Sequence, residues 1–293
     1  MDKEQTAIER LRQAAELSEF YYQKPLMLAY SGGKDSEVCL ELAKRAGIAF
    51  EVIHSITTAD APETVRHVRK KFYELELSGV HCEILRPRYK GRPTSMWSLI
   101  PQIGFPPLRT QRYCCQVLKE GASQHRVVVI GVRKEESVAR RGYAVAEKEG
   151  SREATKQKFD FDNGDERIIA PCQAKAKIKI HPILDWSNAE VWAYLRDCKT
   201  EINTVYNMGF SRCGCIGCPM AGKSRYKEFQ VWPAFEKMYR HAFGRMIEAR
   251  EAMGKPNQHK TADEVFRRWM EDENVNGQLD IFGGEVGGPD RQA

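Results

Sequence analysis

The six residues Ser31–Ser36 read Ser-Gly-Gly-Lys-Asp-Ser, a combination of residue types that suits phosphate binding. The paired glycines allow a positive φ angle and let a ligand approach the backbone. At the start of a helix, free amides and the helix dipole attract an anion, and Ser31, Lys34 and Ser36 would add donors. The spacing is not that of a Walker loop. The sequence predicts a phosphate-binding loop here rather than an ordinary glycine turn.

Five of the nine cysteines fall into two groups, Cys114-Cys115 and Cys213, Cys215 and Cys218. The turn Cys215-Ile-Gly-Cys218-Pro is of the kind that brings two thiolates to one metal ion or cluster. Two thiolates from each group would suit either tetrahedral zinc or a [4Fe-4S] cluster, and the sulfur count does not separate them. In a reducing compartment this pattern indicates metal or redox chemistry rather than disulfides. The isolated cysteines fit buried free thiols: Cys39, Cys82, Cys172 and Cys198.

Strands and helices alternate along the part of the chain that would position these groups. Such alternation predicts βαβ units and an α/β fold with a doubly wound, mostly parallel sheet. The loop that follows the strand ending at Gly131 carries Arg133 and Arg140, which would reach the carboxyl edge of the sheet near the phosphate loop. Predicted strands occupy residues 25–30, 50–56, 80–85, 126–132 and 180–184, and predicted helices occupy 3–22, 35–46 and 63–77.

The predicted organisation has four parts. Residues 1–24 form an N-terminal amphipathic helix, and 25–222 form the nucleotide-binding domain. A polar segment at about 135–179 is interpreted as an insertion on the surface of that domain. Residues 223–272 form a C-terminal helical extension, and the Gly-rich, acidic residues 273–293 form a flexible tail.

The composition indicates a folded protein with a full core. The chain has 293 residues, 42% hydrophobic and 29% charged, and its 46 Lys and Arg against 40 Asp and Glu give a net charge of +6. This charge mildly favours anionic partners. No apolar stretch approaches the roughly 20 residues of a membrane helix, and no export signal precedes the first helix. A cytoplasmic location without membrane contact is therefore expected.

Taken together, these strings resemble the phosphoadenosine phosphosulfate (PAPS) reductase family in the broad sense, which includes N-type ATP pyrophosphatases. The resemblance implies an adenine nucleotide α-hydrolase-like sheet and runs from Pro25 to about Pro219. The matching positions are residues 31–36, Asp60 with 62–64, 112–119, 131–133 with Glu136 and Arg140, 181–186, 191–192, and Tyr206, Gly209, Arg212 and 214–215.

The resemblance implies ATP with Mg²⁺ and a [4Fe-4S] cluster as cofactors, with zinc as the alternative metal. Lys34, Asp35 and Arg133 would be catalytic. Asp60 would meet the ribose or a metal, or else cap the helix that follows it. The cluster ligands would be Cys114, Cys115, Cys215 and Cys218, with Cys213 as an alternate. The nucleotide-binding residues would be Ser31, Gly32, Gly33, Lys34, Asp35, Ser36, Asp60, Gly131, Arg133 and Arg140.

Two departures from the sulfonucleotide reductases bear on the activity. Those enzymes carry a nucleophilic cysteine in a C-terminal tail, whereas no cysteine follows Cys218 here. Their phosphate loops are modified, whereas the Ser31–Ser36 loop has the complete Ser-Gly-Gly-Lys-Asp-Ser sequence. Both departures favour an ATP pyrophosphatase that adenylates an acceptor, so that sulfur from a donor can displace AMP. The sulfurtransferase of DNA phosphorothioation systems is similar, which makes DNA a candidate acceptor.

Two alternatives stay open. One is a sulfonucleotide (APS or PAPS) reductase that takes electrons from a donor protein and uses Cys213 as its thiol. The other is a non-catalytic zinc-containing module that binds a nucleotide or DNA. In addition, Gln278–Phe282 resembles the peptide by which bacterial DNA-processing proteins dock on the sliding clamp, so a clamp contact is a further expectation.

Overall fold

The computed structural model describes residues 2–120, 125–149, 157–159 and 177–271. These residues belong to two compact units. Of the described residues, the first unit contains 2–55, 62–85 and those between 125 and 213, and the second contains 56–61, 86–120 and 214–271. The tail peptide Gln278–Phe282 and Cys172 lie outside the described residues. Within the described part of the chain, no helix is both long and apolar enough to cross a membrane.

The first unit is built on a seven-stranded sheet with the strand order β3-β2-β1-β6-β9-β7-β8. The five strands from β3 to β9 pair in parallel, whereas β7 pairs antiparallel to both β9 and β8. The doubly wound, mostly parallel fold class predicted from the sequence is therefore confirmed. The strands are β1 Leu26–Ala29, β2 Phe50–Ser55, β3 Cys82–Leu85, β4 Arg88–Tyr89, β5 Arg92–Pro93, β6 Val127–Val129, β7 Ala146–Glu149, β8 Gln157–Phe159 and β9 Lys177–Ile180.

Helices belong to both units, and those of the first unit cover its sheet. The helices of the first unit are α1 Lys3–Tyr22, α2 Lys34–Ala46, α3 Pro62–Leu77 and α6 Asn188–Asp197. Those of the second unit are α4 Met96–Ile103, α5 Tyr113–Cys115 with the π-helical turn Gln116–Glu120, α7 Ser224–Val231, α8 Pro233–Ala252 and α9 Ala262–Glu271.

The helix α2 is the element that most directly positions the phosphate loop. Gly33 is its N-cap, and Gly47 ends it in the left-handed conformation with φ 66°. Acidic residues lie in its first turn and basic residues in its last turn, as the helix dipole favours. Its apolar face, with Val38 and Leu42 fully buried, packs in the core of the first unit. The start of α2 is thereby held rigidly at the end of β1.

The polar segment predicted as a surface insertion at about 135–179 contributes a strand to the sheet. Its residues 146–149 form β7 and pair with 177–180 of β9, which would otherwise be an edge strand. Glu147 is only 1% exposed and faces the equally buried His181. Because residues 146–149 are mostly charged, their sequence showed no sign of a strand in the sheet.

A buried charged network lies behind the phosphate loop and joins α2 to α3. The Glu37 carboxylate, 2% exposed, accepts a hydrogen bond from Tyr30 and lies 2.9 Å from Lys71 Nζ. His67 Nε2 is 3.6 Å from the same carboxylate. Burial acts to raise the pKa of Glu37, but the hydrogen bond from His67 and the charge of Lys71 lower it overall. Glu37 is therefore held as a carboxylate inside the fold.

We expect Glu37→Gln to lower the free energy of unfolding by about 3 kcal/mol at neutral pH, because it leaves Lys71 buried without its countercharge. Since folding lowers the pKa of Glu37, its contribution is complete above the unfolded value of about 4.5 and is lost as the pH falls through the folded value. Urea unfolding at a series of pH values checks this. Glu41→Gln, on the same helix, serves as control with a change below about 0.5 kcal/mol. A difference from wild type that stays constant into acid contradicts the prediction.

Candidate functional site

The phosphate loop predicted from the sequence connects β1 to α2 in the first unit. Ser36 Oγ donates to the Gly33 carbonyl at 2.7 Å, and the Ser31 amide donates to Ser36 Oγ at 3.3 Å. The Gly33 amide donates to Ser31 Oγ at 3.4 Å, so both serine hydroxyls hold the bend in shape. A Cβ on Gly32, where φ is +75°, would lie 3.0 Å from Val68 Cγ2, so only glycine fits there.

The three residues predicted to be catalytic lie in one chain of contacts. Arg133 Nε donates to Asp35 Oδ1 at 2.6 Å, and Lys34 Nζ donates to Asp35 Oδ2 at 2.9 Å. Arg133 is 3% exposed and Lys34 is 7% exposed. One carboxylate thus orders two buried cations beside the start of α2. Arg133 Nη1 also donates to Glu135 Oε2 at 3.1 Å, so the two cations face two carboxylates, of which Glu135 is exposed to solvent.

Gly131 and Arg140 lie in the loop that follows β6. A Cβ on Gly131 would lie 2.7 Å from the carbonyl carbon and oxygen of Asp35, so Gly131 allows the loop after β6 to touch the start of α2. Arg140 forms an ion pair with Glu136 one turn earlier in the same loop. The Glu136 carboxylate also accepts from the Arg133 amide at 3.1 Å. The described contacts give Gly131 a packing role, and they place Arg140 with Glu136 rather than with Asp35.

We expect Gly131→Ala to destabilise the first unit by about 2 kcal/mol or more, because the new methyl group meets backbone that has no rotamer to change. Gly244→Ala is the matched control. Its nearest neighbour would be 3.9 Å away in the middle of α8, and Ala stabilises a helix interior by about 0.5–1 kcal/mol relative to Gly. In thermal and urea unfolding, Gly131→Ala should lower the free energy of unfolding and Gly244→Ala should raise it. Equal effects of the two substitutions would contradict the assignment.

Two residues that the sequence did not single out for the site hold the loop from the turn after α6. Asn203 Nδ2 donates to the Gly32 carbonyl at 3.1 Å and to Thr64 Oγ1 at 3.0 Å. Tyr206 OH accepts from the Lys34 amide at 2.8 Å and lies near the Cβ position of Gly33. Tyr206 was noted only as part of the family resemblance. No local pattern signals either contact, because each partner lies about 170 residues away in sequence.

The thiol of Cys213 lies beside the phosphate loop in the first unit. It hydrogen-bonds to Tyr206 and Thr64, and the charge of Lys34 acts on it. Burial raises its pKa to about 11, although the hydrogen bond with Tyr206 acts in the opposite direction. Cys213 is therefore a neutral thiol at neutral pH, and it lies beside the phosphate loop of the first unit.

The other four clustered cysteines belong to the second unit, together with Asp60. Residues 60 and 215 form an antiparallel bridge, and the Ile216 amide donates to the Ala59 carbonyl at 2.8 Å. The Asp60 carboxylate accepts from the Thr57 amide at 2.7 Å. Asp60 thus closes its own loop next to Cys215.

The four thiols act on one another electrostatically. A hydrogen bond from Cys114, supported by Arg112, lowers the pKa of Cys115 to about 5. The same bond, burial and the charges of Cys115, Cys215 and Cys218 raise the pKa of Cys114. The charge of Cys215, followed by those of Asp60, Cys115 and Cys218, raises the pKa of the Lys119 ammonium, so Lys119 stays protonated. Sequence reasoning gave Lys119 no role, although it follows Cys115 by one helical turn.

No three His, Cys, Asp or Glu side chains in the described ranges are arranged as a metal-binding group. The thiols bond to neighbours instead. Cys114 and Cys115 share a hydrogen bond as free thiols, and Cys215 Sγ donates a hydrogen bond to Thr57 Oγ1 at 3.4 Å. In chemical type the donor set still fits, because four thiols with a nearby lysine suit a [4Fe-4S] cluster or zinc.

The turn that carries Cys215 and Cys218 is held by the C-terminal helices. Glu228 of α7 accepts from the Gly217 amide at 2.7 Å, and Tyr239 of α8 donates to the Ile216 carbonyl at 2.9 Å. Gly217 has φ +73°, and a Cβ there would lie 2.7 Å from the Phe229 ring. The helical extension is therefore a rigid support for half of the cysteine group.

Comparisons with known proteins place these features in a family. Residues 25–221 match the phosphoadenosine phosphosulfate reductase domain. A protein of Methanocaldococcus jannaschii described as uncharacterized is 30% identical over 233 residues, which cover 74% of this chain and 42% of that protein. The adenosine 5'-phosphosulfate reductase of Allochromatium vinosum is 25% identical over 205 residues, covering 67% of this chain and 68% of that enzyme. The solved PAPS reductase of Candida auris is 19% identical with a TM-score of 0.47, over 72% of this chain and 88% of that one.

The chain spans about half the length of two of its curated relatives, at 42% and 51% of each. The match to the family ends before α7, so the helices that support the second cysteine turn lie beyond it. It takes in the phosphate loop, both cysteine pairs and every strand of the sheet. The chain belongs to the phosphoadenosine phosphosulfate reductase domain family, and relatives with this domain include enzymes.

Proposed function

We propose that this chain is an ATP pyrophosphatase that adenylates an acceptor and supports sulfur transfer with a [4Fe-4S] cluster. The observation that carries the proposal is the complete Ser31–Ser36 loop, backed by the buried contacts of Arg133 and Lys34 with Asp35. This arrangement suits a ligand that brings a pyrophosphate leaving group.

In the first step the acceptor oxygen attacks the α-phosphorus of ATP, the bond to the β-phosphate oxygen breaks, and pyrophosphate leaves. Catalysis of nucleotidyl transfer rests mainly on positioning and charge neutralisation. The loop amides would orient the phosphates. Lys34 and Arg133 would neutralise the leaving pyrophosphate, while Asp35 keeps both cations in place. Bound Mg²⁺ would supply further charge neutralisation at the phosphates.

In the second step a sulfur nucleophile forms a bond to the acceptor carbon or phosphorus, and AMP leaves with the former acceptor oxygen. When bound, a cluster held by Cys114, Cys115, Cys215 and Cys218 would supply an iron site for sulfide. Lys119 would stay protonated beside these cysteines and attract an anionic substrate. The sulfur would come from a separate donor.

Anaerobically purified protein should convert ATP to AMP and pyrophosphate in the presence of its acceptor. Because Ser36 Oγ fixes the bend through the Gly33 carbonyl, we expect Ser36→Ala to slow this reaction by about tenfold to a hundredfold. Ser18→Ala is the control, since Ser18 Oγ bonds to the Lys24 carbonyl at 2.8 Å at the end of α1. Its rate should match wild type. Equal rates for both variants and wild type would count against the loop as the site.

A sulfonucleotide reductase is the second candidate, and it is favoured by one observation, the Cys213 thiol beside the phosphate loop. Sulfite release from adenylylsulfate or its 3'-phosphate, without pyrophosphate release from ATP, would support it. Cys213→Ser separates the two candidates, because it should stop sulfite release in a reductase and leave pyrophosphate release unchanged in an ATP pyrophosphatase.

A further inference from the structure

The positive charge of the chain is concentrated in one segment of the second unit. Residues 86–120 contain seven Lys and Arg but a single carboxylate residue, Glu120. Because the whole chain has 46 basic and 40 acidic residues, the rest of it contains 39 of each and is neutral. The entire net charge of +6 therefore belongs to this segment.

Three of those cations lie on the hairpin formed by β4 and β5, and a fourth, Arg86, lies two residues before it. Arg86, Arg88, Lys90 and Arg92 are all exposed, and none of them is paired with a carboxylate among the residues that the structure describes. Surface cations are usually balanced by nearby acids, so an unbalanced cluster of this size favours a polyanionic ligand.

The hairpin is rigid enough to present these cations in a fixed pattern. Lys90 and Gly91 form a two-residue turn with φ of 49° and 78°, as in a type I′ hairpin. Arg88 Nη2 closes the turn by donating to the Gly91 carbonyl at 2.8 Å. The Tyr89 ring lies under Lys90, with Nζ 5.4 Å from the ring centroid. An aromatic ring is thus set among the cations.

The hairpin also lies close to the candidate cysteine site of the same unit. It packs against the π-helical turn Gln116–Glu120, which directly follows Cys114 and Cys115 and carries the exposed Lys119. A polyanion bound to the hairpin would therefore lie beside Lys119 and the turn that follows the two thiols.

We infer that the β4–β5 hairpin binds the phosphate backbone of an unpaired stretch of RNA, with Tyr89 stacking on a base. The idea that this RNA is the acceptor for sulfur transfer rests on the proposed function. The RNA-binding surface itself does not. Arginine and aromatic side chains together recognise unpaired nucleotides of RNA loops.

Other polyanions fit the hairpin less well. The two strands have only two residues each, which is too short for a β-ribbon that contacts base edges in the major groove of duplex DNA. A membrane surface would call for exposed apolar anchors beside the cations, and none of the large exposed hydrophobic side chains in the described residues lies on the hairpin.

The test is the affinity of the full chain for a labelled RNA stem-loop with about eight unpaired nucleotides, measured at several salt concentrations. The variant Arg86→Gln/Lys90→Asn/Arg92→Gln removes three charges, and Asn at position 90 suits the positive φ. We expect its affinity to fall by at least about tenfold and its salt dependence, the slope of log K against log salt, to decrease by about 2. Tyr89→Leu should weaken binding by about tenfold without changing the slope.

The matched control removes the same charge from exposed positions elsewhere, Lys24→Gln/Lys237→Gln/Arg245→Gln, and should bind RNA as wild type does. Equal losses in both triple variants, no loss in either, or tighter binding of duplex DNA than of RNA would overturn the inference. ATP binding is measured on the same samples. If ATP is not bound while RNA binding depends on the hairpin, the proposed function fails and the RNA surface stands.

Discussion

Replacing Arg133 by Gln is expected to reduce pyrophosphate release from ATP by about a hundredfold or more. Arg133 is 3% exposed and its Nε lies 2.6 Å from Asp35 Oδ1. Without the guanidinium, Asp35 has only Lys34 to balance its charge, and the site loses one of the two buried cations that would neutralise a phosphate leaving group.

The same substitution also carries a cost in folding that must be separated from catalysis. Breaking a buried ion pair by removing one partner costs about 3–5 kcal/mol, because the other charge stays buried. The double variant Asp35→Asn/Arg133→Gln removes both charges and should recover much of that stability. It should not recover pyrophosphate release, because both the cation and the carboxylate that orders Lys34 are gone.

Lys134→Gln provides the control from the adjacent position. Lys134 Nζ pairs with Asp185 at 2.8 Å on the surface, with both side chains more than 40% exposed. Its removal should change the rate by less than about twofold, since surface pairs contribute little. Steady-state rates and urea unfolding on all variants check the argument. Restored activity in the double variant would show that Arg133 acts only through folding.

The sequence predicted those parts of the fold that depend on local patterns. The apolar run before Ser31, the glycine pair and the helical periodicity after it define β1, the loop and α2 within a few residues. The strand at 127–129 was also predictable, because a run that is apolar on both faces suits the centre of a parallel sheet. Each of these signals lies within about ten residues of the feature it predicts.

The partners of the site residues could not be predicted in the same way. Glu228 and Tyr239 hold the turn at 216–217 from helices that the sequence predicted only as a C-terminal extension. Arg140 was predicted to bind nucleotide from its place in a loop, and its ion pair with Glu136 is seen only in the structure. A residue's type shows what it can bind, whereas its partner depends on tertiary packing that no short window contains.

Cys215→Ser is expected to remove the bound cluster almost completely. Protein purified without oxygen should contain about four iron and four sulfide per chain, and the variant close to none, since a missing thiolate leaves the cluster without a ligand. Serine keeps a hydroxyl next to Thr57, so the local turn should still form. Because metal binding contributes to folding free energy, the wild type should also lose thermal stability when it is stripped by a chelator, and the variant should not.

Cys213→Ser, two residues away, is the matched control for this experiment. Cys213 hydrogen-bonds to Tyr206 and Thr64 of the first unit, whereas Cys114, Cys115, Cys215 and Cys218 act on one another in the second. We therefore expect Cys213→Ser to retain iron and sulfide at the wild-type level. Loss of iron in both variants would make Cys213 a ligand, and about one zinc per chain without sulfide would replace the cluster with a tetrahedral zinc site. Metal and sulfide analysis of the two variants thus decides which sulfurs hold the metal and which metal they hold.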